Sequence, residues 1–198
     1  MRFKALVVAL VIPAALAVTG CGVQAIPQAK NSVEAALSEV SNQYKRRADL
    51  IPNLVNVVKG YAKHEEETLT KVTEARAKAS SINVDASKLD PKQLEQFQQS
   101  QGELSQALGR LMVVSEKYPE LKADQNFRDL QAQLEGTENR ITVARQRYIE
   151  QVKGFNDLVG VPPTSWTNSL LYHYEKLPQW AVAPEEQKKI EQAPKVEF

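Results

Sequence analysis

The chain has 198 residues, 42% hydrophobic and 25% charged, with 25 basic and 24 acidic side chains for a net charge of +1. That is enough apolar material for one real core, and it carries no basic block of the kind that holds nucleic acid. Glycine and proline are sparse through the middle, where Ala, Glu, Lys, Gln, Leu and Arg dominate, a composition of long helices rather than strands.

The chain opens "MRFKALVVALVIPAALAVTGCG": two cations, an uncharged run from Ala5 to Val18, then small residues ending at Cys21. This is the layout of a signal peptide. Pro13 interrupts the run, which is short for a spanning helix of about 20 apolar residues. Val18-Thr19-Gly20-Cys21 resembles the lipobox of bacterial lipoproteins. The resemblance implies residues 1–20 as a leader, a diacylglyceryl group on the Cys21 thiol, and 21–30 as a tether. A cleaved leader with a free thiol, or an uncleaved anchor, remain alternatives, and each exports the domain. Without Arg2 and Lys4, 23 basic residues face 24 acidic ones, for −1. A single cysteine makes no internal disulfide, so stability must come from packing.

Residues 31–160 read as a helical bundle. Val33, Leu37, Val40, Tyr44, Ala48 and Ile51 recur in steps of three and four, and the pattern resumes after Pro52 as Leu54, Val58, Tyr61, Thr68, Val72, Ala75 and Ala79. Pro52 predicts either a new helix capped by Asp49, giving two nearly collinear segments with a bend, or one helix kinked where the bond to Ala48 is lost; the first reading is preferred. The stretch "SSINVDASKLD" loses the period, and Asp90-Pro91 supplies an N-cap followed by proline at the first helical position, so the main reversal falls here. The next helix carries Leu94, Phe97, Leu104, Leu108, Leu111 and Tyr118 on one side. Gln101 interrupts that seam, and close helix contact at Gly102 and Gly109 would offset their poor propensity. Tyr118-Pro119 marks a break. The last helix has Phe127, Leu134, Ile141, Tyr148 and Phe155 spaced by sevens, with Leu130, Thr137, Ala144 and Leu158 in most partner positions, a coiled-coil-like seam. The expected fold is all-α, an elongated antiparallel bundle of three to four long helices.

Residues 161–198 form a tail rich in proline that holds both tryptophans, and the regular helix should stop near Val159. Thr164 to Tyr172 predicts a short helix whose Trp166, Leu170 and Leu171 cap one end of the bundle. Alternatively Trp166, Tyr172, Tyr174 and Trp180 face lipid headgroups or a partner.

No catalytic constellation stands out. His64 is followed at the fourth position by Thr68, His173 is the other histidine, the glycines are scattered, and no nucleophile elbow occurs. The sequence therefore calls for no metal and no cofactor. Carboxylates such as Glu65, Glu66 and Glu67 read as solvated faces. Two polar clusters stand apart, "KRRADLIPN" and "EGTENRITVARQR". They read either as surface pairs or as an interhelical network or docking face built from Arg47, Asp49, Asn53, Glu138, Asn139 and Arg145.

The segments "NQYKRRADLIPNLVNVVKGYAKHEEETLTKVTEARAKA" and "YPELKADQNFRDLQAQLEGTENRITVARQRYIEQV", with the ending "APKVEF", resemble the LemA family of bacterial membrane-associated proteins. The resemblance implies an N-terminal anchor, an exported helical bundle and a family without established catalytic activity. It carries over to Arg47, Asp49, Pro52, Asn53, Gly60, Tyr61, Glu138, Asn139 and Arg145. Tyr148-Ile149 and Val161-Pro162-Pro163-Thr164 depart from the family's usual "YN" and "FPSN". The function this leads to is a non-enzymatic, lipid-anchored scaffold or adaptor of the bacterial envelope, facing the periplasm or exterior and holding another envelope or membrane protein, with self-association left open. An accessory hydrolase built on the polar clusters and a purely structural homo-oligomeric spacer are the alternatives.

Overall fold

The computed structural model describes the backbone of residues 2–180 and the side chains of residues 23–180. Cys21, its lipidation and the ending "APKVEF" therefore lie outside the described side chains. The chain is an all-α bundle: α1 (Arg2–Tyr61), α2 (Glu66–Ser81), α3 (Pro91–Ser115), a short α4 (Pro119–Ala123), α5 (Gln125–Gly160) and α6 (Thr164–Thr167), which passes into a π-helical turn, Asn168–Tyr172. No strand occurs among the described residues.

Helix α5 lies antiparallel to α1 along most of its length, as the pairings Arg47 to Glu138 and Tyr61 to Asp124 show. The seven-residue seam is the reason: Phe127, Leu134, Ile141, Tyr148 and Phe155 are all buried, opposite Val33, Leu37, Val40, Tyr44, Ile51, Leu54 and Val58. Helix α2 folds back on α1, bringing Arg76 to Ala48, and α3 folds back on α2, bringing Glu103 to Lys78. Two cores result. One joins Ile51, Leu54, Val58 and Ala62 to residues of α2, α3, α4 and α5. The other joins Ile26, Val33, Leu37, Val40 and Tyr44 to α5, the start of α3 and Trp180.

The caps follow the sequence closely. Asp90 accepts from the Lys92 amide at 2.9 Å with Pro91 next to it, and Asp124 accepts from the Phe127 amide at 2.9 Å to start α5. The chain breaks at Tyr118, as expected, and α5 ends at Gly160.

Three expectations are corrected. First, α1 runs through Pro52 without interruption, and the chain instead reverses at 62–65. The Ala48 carbonyl, which Pro52 cannot serve, accepts from Arg76 Nε at 2.8 Å, so the bond is replaced from α2 and no helix end is needed. Pro27, also inside α1, is handled the same way: the carbonyl four residues earlier, Val23, accepts from the Tyr172 hydroxyl at 2.6 Å. Second, Gly102 and Gly109 have open space where a Cβ would stand, so no close helix contact requires them. Third, Trp166, Leu170 and Leu171 do not cap the bundle; they are 67%, 78% and 54% exposed.

Trp180 takes the covering role instead. It stacks on Tyr44 at 6.3 Å and meets Phe97 and Tyr148 edge-on. The extended strap that delivers it, 173–180, is pinned to α5 by Asn156, whose side chain donates to the Leu177 carbonyl at 3.0 Å and accepts the Leu177 amide at 2.8 Å.

Candidate functional site

Arg47 sits on α1 between Tyr44 of one core and Ile51 of the other and is 2% exposed. Its Nη1 donates to Ser105 Oγ and to Glu138 Oε2, both at 2.9 Å. Its Nη2 donates to the Gln101 backbone carbonyl at 3.2 Å and to Gln101 Oε1 at 2.8 Å. Gln101 Nε2 in turn reaches the Ala79 carbonyl at 3.4 Å. A buried guanidinium is tolerable only when its donors are matched, and four acceptors from α3 and α5 do this, leaving only Nε without a partner. Tyr44 adds its ring face at 4.9 Å. The result is a polar tie that joins α1, α2, α3 and α5 at the boundary of the two cores. Gln101, which interrupts the apolar seam in the sequence, is its main acceptor.

The structure brings only two of the six predicted polar residues together. Arg47 and Glu138 are bonded, with the Glu138 side chain about half exposed. Asp49 and Asn53 are exposed on α1, and neither joins the tie. Arg145 lies elsewhere, its guanidinium 5.2 Å from the Trp180 ring. Asn139 is exposed and lines a shallow open groove of about 300 Å³ between α1 and α5, with Glu39, Gln43, Arg140, Val143 and Arg147. Inside it, Gln43 Nε2 donates to Glu39 Oε1 at 2.7 Å, while Gln43 Oε1 is buried and unpartnered. Val143 is 50% exposed beside it. The groove thus offers two guanidinium groups, a carboxylate, an amide and a hydrophobic contact, a set suited to a polypeptide segment.

Two further sites, the Asp124–Tyr61 pair and Tyr148, are tuned by their surroundings. Asp124 is held below the usual carboxylate range, first by the Phe127 amide and then by the Tyr61 hydroxyl at 2.8 Å, and this hydrogen bond raises the Tyr61 phenol. Burial pushes the Tyr148 phenol up to about 12, where its hydroxyl donates to the Pro178 carbonyl at 2.9 Å. Among the described residues no cluster of His, Cys, Asp and Glu has a metal-holding arrangement, and no helix is long and apolar enough to cross a membrane.

Sequence reasoning missed Arg76, the bond of Tyr172 to Val23, Asn156 and Gln43. For the first two a signal existed: each proline inside a helix leaves one nameable carbonyl without a donor. Asn156 and Gln43 carry none, since a lone amide on a helix is ordinary.

The LemA family model matches residues 36–198. Protein LemA of Metamycoplasma hominis is 29% identical over 139 residues, which cover 70% of this chain and 58% of that protein. The chain thus spans less than two thirds of that relative's length.

Proposed function

We propose, for a chain that belongs to the LemA family, a non-enzymatic role as a membrane-anchored scaffold or adaptor of the bacterial envelope, in which the bundle presents a helical face to another envelope protein. The groove between α1 and α5 carries the reading: Asn139, Arg140, Val143 and Arg147 stand exposed side by side along it. Exposed guanidinium and amide groups beside an apolar side chain are the mixed polar and apolar surface that a partner's contact patch pairs with. The basic, uncharged and small-residue order of residues 1–21 supports the anchor. Arg47, by contrast, serves folding rather than docking, because a guanidinium 2% exposed has no free surface to offer.

The test is in-cell photocrosslinking from position 143 in the full chain, with Arg140→Glu/Arg147→Glu beside it. A reproducible envelope protein captured by the first and lost in the second, at unchanged melting temperature, is the expected result. Links only between copies of the chain would replace the adaptor with a homo-oligomeric spacer. Labelled fatty acid entering the wild type and absent from Cys21→Ser checks the anchor separately.

A further inference from the structure

The segment 161–172, "VPPTSWTNSLLY", holds no charged residue, in a chain that is 25% charged. It forms α6 and the π-helical turn, closed by the His173 amide donating to the Asn168 carbonyl at 2.8 Å. The wider turn places residues 170 and 171 together, one turn beyond Trp166. All three project outward, 67%, 78% and 54% exposed, with Val161 55% exposed beside them in the chain. The turn is fixed from beneath: Asn168 is buried, with its side chain bonded to both the amide and the carbonyl of Tyr174. A single indole and two leucines held outward by a satisfied polar base are a built surface rather than a frayed end.

Its place in the fold says what covers it. The Tyr172 hydroxyl binds the Val23 carbonyl, so this turn stands beside the residue at which α1 continues toward its N-terminus. Val23 itself is 38% exposed. Cys21 lies two residues further along α1, about 3 Å in axial rise, and the uncharged run Ala5 to Val18 follows. Whether the chain is held by a lipid on Cys21 or by the run itself, the tether leaves the bundle at this end. We infer that Trp166, Leu170 and Leu171 enter the headgroup and upper acyl layer of the same bilayer, giving the bundle a second foot beside its tether. Tryptophan favours that layer because its ring is apolar and its N–H reaches water or headgroup oxygens, and two leucines add buried apolar area. This rests on the anchored reading given above.

The full chain, reconstituted in phosphatidylethanolamine and phosphatidylglycerol vesicles brominated near the top of the acyl chain, provides the test. Wild type contains two tryptophans, one of them buried against Tyr44, so Trp166→Phe isolates the contribution of the exposed one. The expected result is bromine quenching of wild type that disappears in Trp166→Phe and falls at least about twofold in Leu170→Ser/Leu171→Ser, with circular dichroism melts unchanged. Co-flotation without quenching would overturn the second foot and leave the anchor standing. Failure to co-float would remove both. Indole fluorescence shielded from an aqueous quencher but untouched by bromine, with a doubled mass in detergent, would overturn the lipid contact in favour of a second copy.

Discussion

Helix α1 is packed in two different ways along one apolar stripe. From Ile51 to Val58 it shares a core with four other helices, and from Ile26 to Tyr44 it has α5, the loop before α3, the first turns of α3 and a non-helical strap ending in Trp180. The stripe itself does not change: steps of three and four run through both regions. A heptad-like seam therefore fixes which face is buried and leaves open what buries it. In one region regular helices do so with many interchangeable aliphatic contacts. In the other, α5 is joined by one indole from outside the helices, stacked among Tyr44, Phe97 and Tyr148, so part of the cover there hangs on a single side chain.

That contrast is broken most directly at Trp180. Trp180→Ala is expected to cost about 3–5 kcal/mol. Amide exchange should rise in residues 26–44 and 141–159 and far less in 51–62; equal rises would mean the two cores open as one unit. The same strap responds to alkali. Tyr148 is raised in the folded state to about 12, so the stability its neutral form contributes is complete below the ordinary phenol value and is lost as pH rises toward 12. Tyr148→Phe should remove that slope from an alkaline denaturation series.

Next in size is the tie between the regions. Arg47→Met removes the donors that Gln101 and Ser105 face, an expected loss of about 2–3 kcal/mol in urea denaturation, whereas Glu138→Gln keeps an acceptor at a half-exposed site and should cost about 1 kcal/mol or less. Similar losses from both would place the weight on the ion pair instead. Smaller again is the replacement bond at Pro52. Arg76→Met should cost about 1 kcal/mol, and less in a Pro52→Ala background, where residue 52 regains an N–H for the Ala48 carbonyl; additive losses in that double-mutant cycle would deny the link. The smallest effect is a gain confined to α3: Gly109→Ala, into open space on an exposed helical position, should stabilise by up to about 1 kcal/mol.

What was legible in the sequence was local. The Asp90 cap and the Tyr118-Pro119 break depend on residues within a turn of one another, the buried sevens of α5 depend on a repeat within one helix, and each stands where its residues predict. Pro52 misled because its local consequence, a missing donor, is met by Arg76 from another helix. The reversal at 62–65 was hidden for a related reason: "YAKHEEE" has no proline and no loop composition, and α2 turns back because Leu69, Val72 and Ala79 find a core with α3. Of the candidate site, the Arg47 to Glu138 pair was visible as two charged clusters, and the groove beside them was not, since Gln43 and Val143 belong to no cluster.

Pro27 and Pro52 of α1 each have their vacant carbonyl filled by a side chain from elsewhere in the fold, so the helix is never interrupted between Val23 and Tyr61. That stretch is about 58 Å of helix stiffened along its flank by α5. Mechanically it is a lever: a tilt of about 10° imposed near Val23 would swing the far end, where Tyr61 clasps Asp124, through about 10 Å. The bundle thereby converts a small change of inclination at its base into a displacement at its tip comparable with the width of a helix.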